Sequence, residues 1–91
     1  MPTISYFYGI YIRMYVREHL PPHFHAVYGE FEANVSIDNG EVIEGRLPRN
    51  ARRLVREWGE KQRPELVSNW RRAQSGFAPE RIAGLDADES R

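Results

Sequence analysis

Apolar and polar positions alternate with period two from Ile10 onward, with Ile10, Ile12, Met14 and Val16 on one side and Tyr11, Arg13, Tyr15 and Arg17 on the other. Successive side chains of a strand point to opposite faces, so this is the pattern of a half-buried antiparallel strand. The period returns in residues 23 to 28, and again where Phe31, Ala33, Val35 and Ile37 alternate with Glu30, Glu32, Asn34, Ser36 and Asp38. The β-branched and aromatic residues from Thr3 to Tyr8 predict a short first strand, and Gly9 marks a bend before the second. Asp38-Asn39-Gly40 is a hairpin signal. A two-residue loop there would set Val35 against Glu44 and Ala33 against Arg46. A three-residue loop with Gly40 in the left-handed region pairs Val35 with Ile43, Ala33 with Gly45 and Phe31 with Leu47. The second register keeps one face apolar and is the expected one.

At Pro48 the period changes. Pro48 can open a helix at its first position, and Ala51, Leu54, Val55 and Trp58 recur at three- and four-residue spacing, the mark of an amphipathic helix. Arg49, Arg52, Arg53 and Arg56 occupy the rest of its circumference. A second helix is predicted from Pro64, burying Leu66, Val67, Trp70 and Ala73 and ending near Gly76. Trp58 and Trp70 read as core. Phe77, Pro79, Ile82 and Leu85 can pack an extended tail on the domain, and residues 86–91 are expected to be disordered. Strands followed by helices make an α+β domain over residues 1–85: an antiparallel sheet of four to five strands followed by two amphipathic helices packed on one face.

Composition narrows the function classes. Ninety-one residues predict one domain, and the lack of cysteine leaves no disulfide staple or thiolate metal site within them. No apolar run approaches a membrane span and the N-terminus has no signal-peptide pattern, so a cytoplasmic protein is expected. The net charge of zero conceals a division. Residues 1–45 sum to −4, residues 46–72 to +6 and the remainder to −2. Twelve of the thirteen basic residues are arginine, whose planar fork suits carboxylates and phosphates. The stripe Arg49, Arg52, Arg53 and Arg56 fits an acidic protein or RNA as partner, and fits equally a solvated helix face carrying Arg53–Glu57 and Arg56–Glu60 pairs.

The chemistry-bearing stretch is His19-Leu20-Pro21-Pro22-His23-Phe24-His25, which holds all three histidines. On a strand His23 and His25 share a face, and the two prolines before them stiffen the approach. Neutral imidazoles are common ligands for divalent metals, so His23 and His25 can form a metal pair, completed by His19 folding back or by Glu30 or Glu32 reaching across the hairpin. Without metal, His23 and His25 can act as an acid/base pair on RNA, with Arg13 or Arg17 steadying phosphoryl charge and Tyr11 or Tyr15 stacking a base. A structural role, with both rings bonded to backbone or to Glu30 at a sheet edge, fits the same spacing. Exposed tyrosines at positions 6, 8, 11 and 15 suit a protein interface, and an open edge strand near residues 3 to 8 leaves room for a homodimer.

Taken together, Pro2-Thr3-Ile4, Gly9-Ile10, Ile12-Arg13-Met14-Tyr15, His19, Pro21-Pro22-His23-Phe24-His25, Tyr28-Gly29-Glu30, Gly45-Arg46-Leu47-Pro48, residues 54–58, Glu65-Leu66 and Asn69-Trp70 resemble the small bacterial domain-of-unknown-function family forty-one-sixty. The resemblance covers residues 2 to about 85. It implies a small protein often encoded beside a partner from family twenty-four-forty-two, in an arrangement similar to two-gene toxin–antitoxin modules. Glu18 stands where an aspartate is common in that pattern, and the linker from Gly59 to Pro64 lacks the histidine often found there. Two functions are therefore expected to compete: an interaction component of such a module, binding a small partner protein, and a histidine-dependent hydrolase or ribonuclease, with or without a divalent metal.

Overall fold

In the computed structural model, which describes residues 3–87, five strands form one antiparallel sheet in sequential order. They are β1 (Thr3–Phe7), β2 (Ile10–Arg13), β3 (His23–Tyr28), β4 (Phe31–Ser36) and β5 (Val42–Gly45), followed by helices α1 (Arg49–Lys61) and α2 (Arg63–Gln74). Two-residue turns at Tyr8-Gly9 and Gly29-Glu30 join β1 to β2 and β3 to β4, so Phe7 faces Ile10 and Tyr28 faces Phe31. The α+β arrangement read from the alternation is the one the chain adopts.

The helices cover one face only. Ile10, Ile12, Phe24, Ala26, Ala33 and Val35 are sealed beneath them, and Trp58 of α1 meets the rings of Phe7 and Phe24 at 5.3 and 5.5 Å. On the opposite face Arg13, His25, Asn34 and Glu44 lie in one row across β2 to β5, partly or fully exposed. The row faces away from the core, while His23, at the start of β3, is buried next to Trp70 of α2.

Three expectations need correction. The first concerns β2, which stops at Arg13. Met14 is still buried, but Val16 is exposed, and Arg17 turns into the left-handed region (φ 54°) to donate its N–H to Ala73 O of α2 at 3.1 Å. The contact with α2 takes the place of the four further residues of ladder expected as far as Arg17.

The second concerns the β4–β5 register, which begins as expected with Ala33 opposite Gly45 and then slips, so that Val35 faces Val42 and not Ile43. Ile37 is the cause. It leaves the strand to enter the core, tied by its N–H to Pro22 O at 3.1 Å. The loop lengthens, and a bulge at the exposed Ile43 absorbs the extra residue. Ser36 Oγ accepts from Asp38 N–H and Asn39 Oδ1 from Glu41 N–H, which stabilise the longer loop.

The third concerns the tail. Phe77 does not pack into the core but is exposed, near the Arg72 guanidinium. Beyond it, buried Asn69 donates to Glu80 O (2.7 Å) and accepts from Glu80 N–H (2.8 Å). Trp58 Nε1 donates to Ala83 O, and Ile82 N–H to Ile4 O of β1. The tail thus occupies part of the β1 edge that was expected to be free. Asp86 and Ala87 are described, with Ala87 N–H bonding Gly84 O; residues 88–91 of the segment expected to be disordered lie outside the described residues. Pro48 is the residue before α1, not its first, and Pro64 is the second residue of α2. Among the described residues no helix is long and apolar enough to cross a membrane.

Gly45 allows the closest backbone approach in the sheet. Its φ of +81° disfavours any side chain, and a Cβ there would run into Glu32 O. Gly29 has a φ of +57° and open space around it. We expect Gly45→Ala to destabilise by about 2–4 kcal/mol and Gly29→Ala by about 1 kcal/mol, measured by urea unfolding. Equal losses would mean that backbone conformation alone, not the approach of Glu32, sets the cost.

Candidate functional site

The loop between β2 and β3 returns Glu18 to the start of β3. There one carboxylate oxygen, Glu18 Oε1, lies within hydrogen-bond distance of Nε2 of both His23 (3.0 Å) and His25 (2.6 Å). The two imidazoles share a face as the strand period requires, with ring centres 5.2 Å apart and edge to face. The peptide bond before Pro21 is cis, and Pro21 O lies 2.8 Å from His23 Nδ1. A carbonyl can only accept, so Nδ1 carries the proton and His23 presents Nε2 to the carboxylate. A bare Nε2 lone pair and a carboxylate oxygen at 3.0 Å repel, so the pair needs a positive charge between them: a proton or a metal ion.

The surroundings grade from dry to wet. His23 is 3 % exposed, with the Trp70 ring 5.4 Å away on one side and that of His19 5.5 Å away on another. The side chains of His25 and Glu18 are 13 % and 24 % exposed. His23 is therefore a fixed post and not an open group, while His25 and Glu18 reach solvent. Burial pushes the Glu18 carboxyl up, but the hydrogen bonds and charge of His25 and His23 outweigh it and hold the carboxyl below its ordinary value.

Glu18, His23 and His25 are the set of three among the described residues that can hold an ion, with one donor atom from each lying within 4.8 Å of the others. Two imidazoles and a carboxylate at that spacing fit a borderline divalent ion such as Zn²⁺ or Fe²⁺, whose bonds of about 2.0–2.2 Å need only a slight opening of the Glu18 contact. Ligating histidines commonly donate their other ring N–H to a carbonyl or carboxylate. His23 does so to Pro21, and His25 Nδ1, buried and without a hydrogen bond, faces Glu32 Oε2 at 3.9 Å. Three protein ligands leave positions for water or substrate, the plan of catalytic rather than structural sites.

The residues named from sequence fall into distinct places. His23 and His25 are central. His19 is exposed and outside the converging set, whose third member is Glu18 and not Glu30, Glu32 or His19. Arg13 stands opposite His25 across β2–β3, its Nε buried without a partner. Tyr15 sets its ring edge against His25 at 4.6 Å. Tyr11 lies away from the ligands, tilted over Tyr6 at 4.5 Å. Arg17 is drawn off to the end of α2, where it crowds Gly76.

Arg49, Arg52, Arg53 and Arg56 lie on α1, apart from the histidines, around a hollow that Gly40 and Glu41 complete. Arg53 pairs with Glu57 at 3.6 Å as expected; Arg56 pairs with Glu41 at 3.2 Å in place of Glu60. Sequence reasoning missed Glu18, because extending β2 to Arg17 put it at a strand end. The available signal was an acid adjoining the histidine segment at a position where the family pattern also carries one.

Fold and site together define a small α+β protein with a two-histidine, one-carboxylate corner at one end of its sheet. The chain belongs to the family DUF4160, a domain of unknown function, whose model matches residues 9–71 and so includes Glu18, His23 and His25. No curated protein and no solved structure matches it.

The lowered Glu18 carboxyl has a consequence for stability. A group whose pKa falls on folding contributes stability above its unfolded value, here about 4.5, and that contribution is lost as pH falls through the lower folded value. Metal-free protein should therefore lose urea stability on acidification below pH 4.5, and Glu18→Gln should flatten that part of the profile. An unchanged acid slope in Glu18→Gln would show that the histidine contacts do not hold the carboxylate.

Proposed function

We propose that this protein is a metal-dependent hydrolase of phosphodiesters, with Glu18, His23 and His25 holding a divalent ion. The observation that carries the reading is the convergence of one carboxylate and two Nε2 atoms within 4.8 Å, with the outer nitrogen of His23 already bonded to Pro21 O. A bound ion would supply a Lewis acid and a water of lowered pKa. The chain's own residues do the rest. His23 is the rigid ligand, Glu18 and His25 are the more open groups, and Glu32, 3.9 Å away, would close up to accept a hydrogen bond from His25 Nδ1–H and orient that ring. Arg13, with an unpartnered Nε across from His25, brings the charge that a phosphoryl oxygen requires.

A second reading, the interaction component of a toxin–antitoxin-like pair, is favoured by a different observation. Tyr6 and Tyr11 are exposed and stand opposite each other across β1–β2 on the side of the sheet that the helices leave bare, ring centres 4.5 Å apart, and aromatic patches of this kind are typical anchors for a protein partner. The two readings are compatible, since a small neighbour-encoded protein seated on the bare face would also cover His25 and Glu18. If so, expression of the chain alone should slow bacterial growth, and His25→Ala should relieve the effect.

Tag-free protein loaded with Zn²⁺ and dialysed should retain about one equivalent by elemental analysis, falling to near zero in His25→Ala and Glu18→Ala. Glu32→Gln should weaken binding about tenfold. Hydrolysis of bis(p-nitrophenyl) phosphate should stop with chelator and return with metal. Zinc retained at the same level in both ligand variants would defeat the assignment of the site, and hydrolysis indifferent to chelator would defeat the metal-dependent reaction.

A further inference from the structure

Four arginines on α1 form a single stripe. Positions 49, 52, 53 and 56 are spaced i, i+3, i+4 and i+7, so they share one face over about 10 Å of helix. All are exposed. They occupy the N-terminal half of α1, whose first turn contains no acid, although the helix dipole there favours negative groups. Arg53 and Arg56 have ion-pair partners, but among the described residues Arg49 and Arg52 have none. A stripe of cations against the dipole, half of it unpaired, is more than solubility requires; it is complementary to a row of negative charges. The hollow it borders holds about 170 Å³.

A second hollow, about 280 Å³, lies on the other side of the same hairpin tip. Pro22, Ile37, Val67 and Trp70 make its apolar floor, with Arg63 and Arg71 at the rim. Arg63, Val67, Trp70 and Arg71 are one face of α2, at i, i+4, i+7 and i+8. Arg63 Nε donates to Ile37 O at 3.1 Å, which anchors the guanidinium beside the floor. Trp70 joins this groove to the site, because its ring is 5.4 Å from that of His23. The volume is at the lower end for small-molecule pockets, room for one flat ring and not for a length of peptide.

We propose that these two hollows hold a single-stranded nucleic acid, its phosphates along the arginine stripe of α1 and one unstacked base in the Trp70 groove next to His23. The inference rests on the phosphodiester reading of the site and names its substrate class. A duplex keeps its bases stacked and cannot fill the groove, whereas a single strand offers both a flat ring and a row of phosphates. At the hairpin tip Ile37 and Asp38 border the Trp70 groove and Gly40 and Glu41 border the hollow beside the arginine stripe, so one strand crossing the tip engages both.

The test is fluorescence anisotropy of a fluorescein-labelled twelve-nucleotide single-stranded RNA titrated with the full chain in EDTA. With chelator present, failure of the metal assignment has no bearing on the result. Four phosphates neutralised on a single strand predict that log K falls with log salt with a slope near −3, and Arg52→Glu/Arg53→Glu should roughly halve the slope and weaken binding at least about tenfold at low salt. In addition, unlabelled strand should quench tryptophan emission. Trp58 is sealed in the core, so the quenching reports Trp70. The wild-type salt slope and quenching stand whether or not the double variant folds. Absence of saturable binding at low salt, a salt-independent affinity, full-strength binding by the folded double variant, or equal competition by a polyaspartate peptide would each overturn the proposal; the last would assign the surface to an acidic protein.

Discussion

The carbonyls of Pro21 and Pro22 are the point on which the site depends. Proline has no N–H and a fixed φ, so consecutive prolines give a short rigid stretch whose carbonyls are available to other groups. Pro21 O accepts from His23 Nδ1 and Pro22 O from the N–H of Ile37. The first bond sets which nitrogen of His23 faces Glu18. The second docks the β4–β5 hairpin, draws Ile37 into the core, and with it sets the loop length and the bulge that follows. One diproline therefore positions both a ligand and the hairpin tip beside it. Removing a single bond of this kind from a small core is costly, since a buried polar group left unpaired costs about 1–3 kcal/mol.

Much of the fold could be read from local pattern, because each strand has one buried face and each connection is short. Ile10 and Ile12, Ala33 and Val35, and the two tryptophans all go where period and size send them. What could not be read depends on contacts between distant segments. Val16 continues the alternation perfectly, yet the bond from Arg17 to Ala73, fifty-six positions on, takes it out of the sheet. The shift opposite Val35 follows from Ile37 reaching Pro22. Likewise the tail looked merely apolar, but its placement comes from the paired bonds of Asn69 to Glu80 and from Trp58 Nε1.

The same distinction applies to the candidate site. The pairing of His23 and His25 follows from strand geometry, and the stiff approach from the prolines. Glu18 does not follow from either, since it reaches the histidines only because the chain leaves the sheet at Arg13 and folds back. The charge division of the sequence also becomes legible only in three dimensions. Acidic residues of the first half supply Glu18 to the histidines and Glu41 to Arg56. Even so, Arg49, Arg52, Arg63 and Arg71 form no ion pair among the described residues. Intramolecular pairing thus accounts for part of the arginine excess and leaves these four on α1 and α2.

The central claim, that Pro21 fixes the tautomer of His23 so that Nε2 is the nitrogen offered to a cation, is most directly tested by long-range ¹H–¹⁵N correlation of the imidazoles during a Zn²⁺ titration. The account predicts that His23 keeps its proton on Nδ1 throughout while the Nε2 resonances of His23 and His25 move together to a plateau at about one equivalent. A His23 protonated only on Nε2, or two rings whose Nε2 signals stay unchanged as zinc is added, would contradict it.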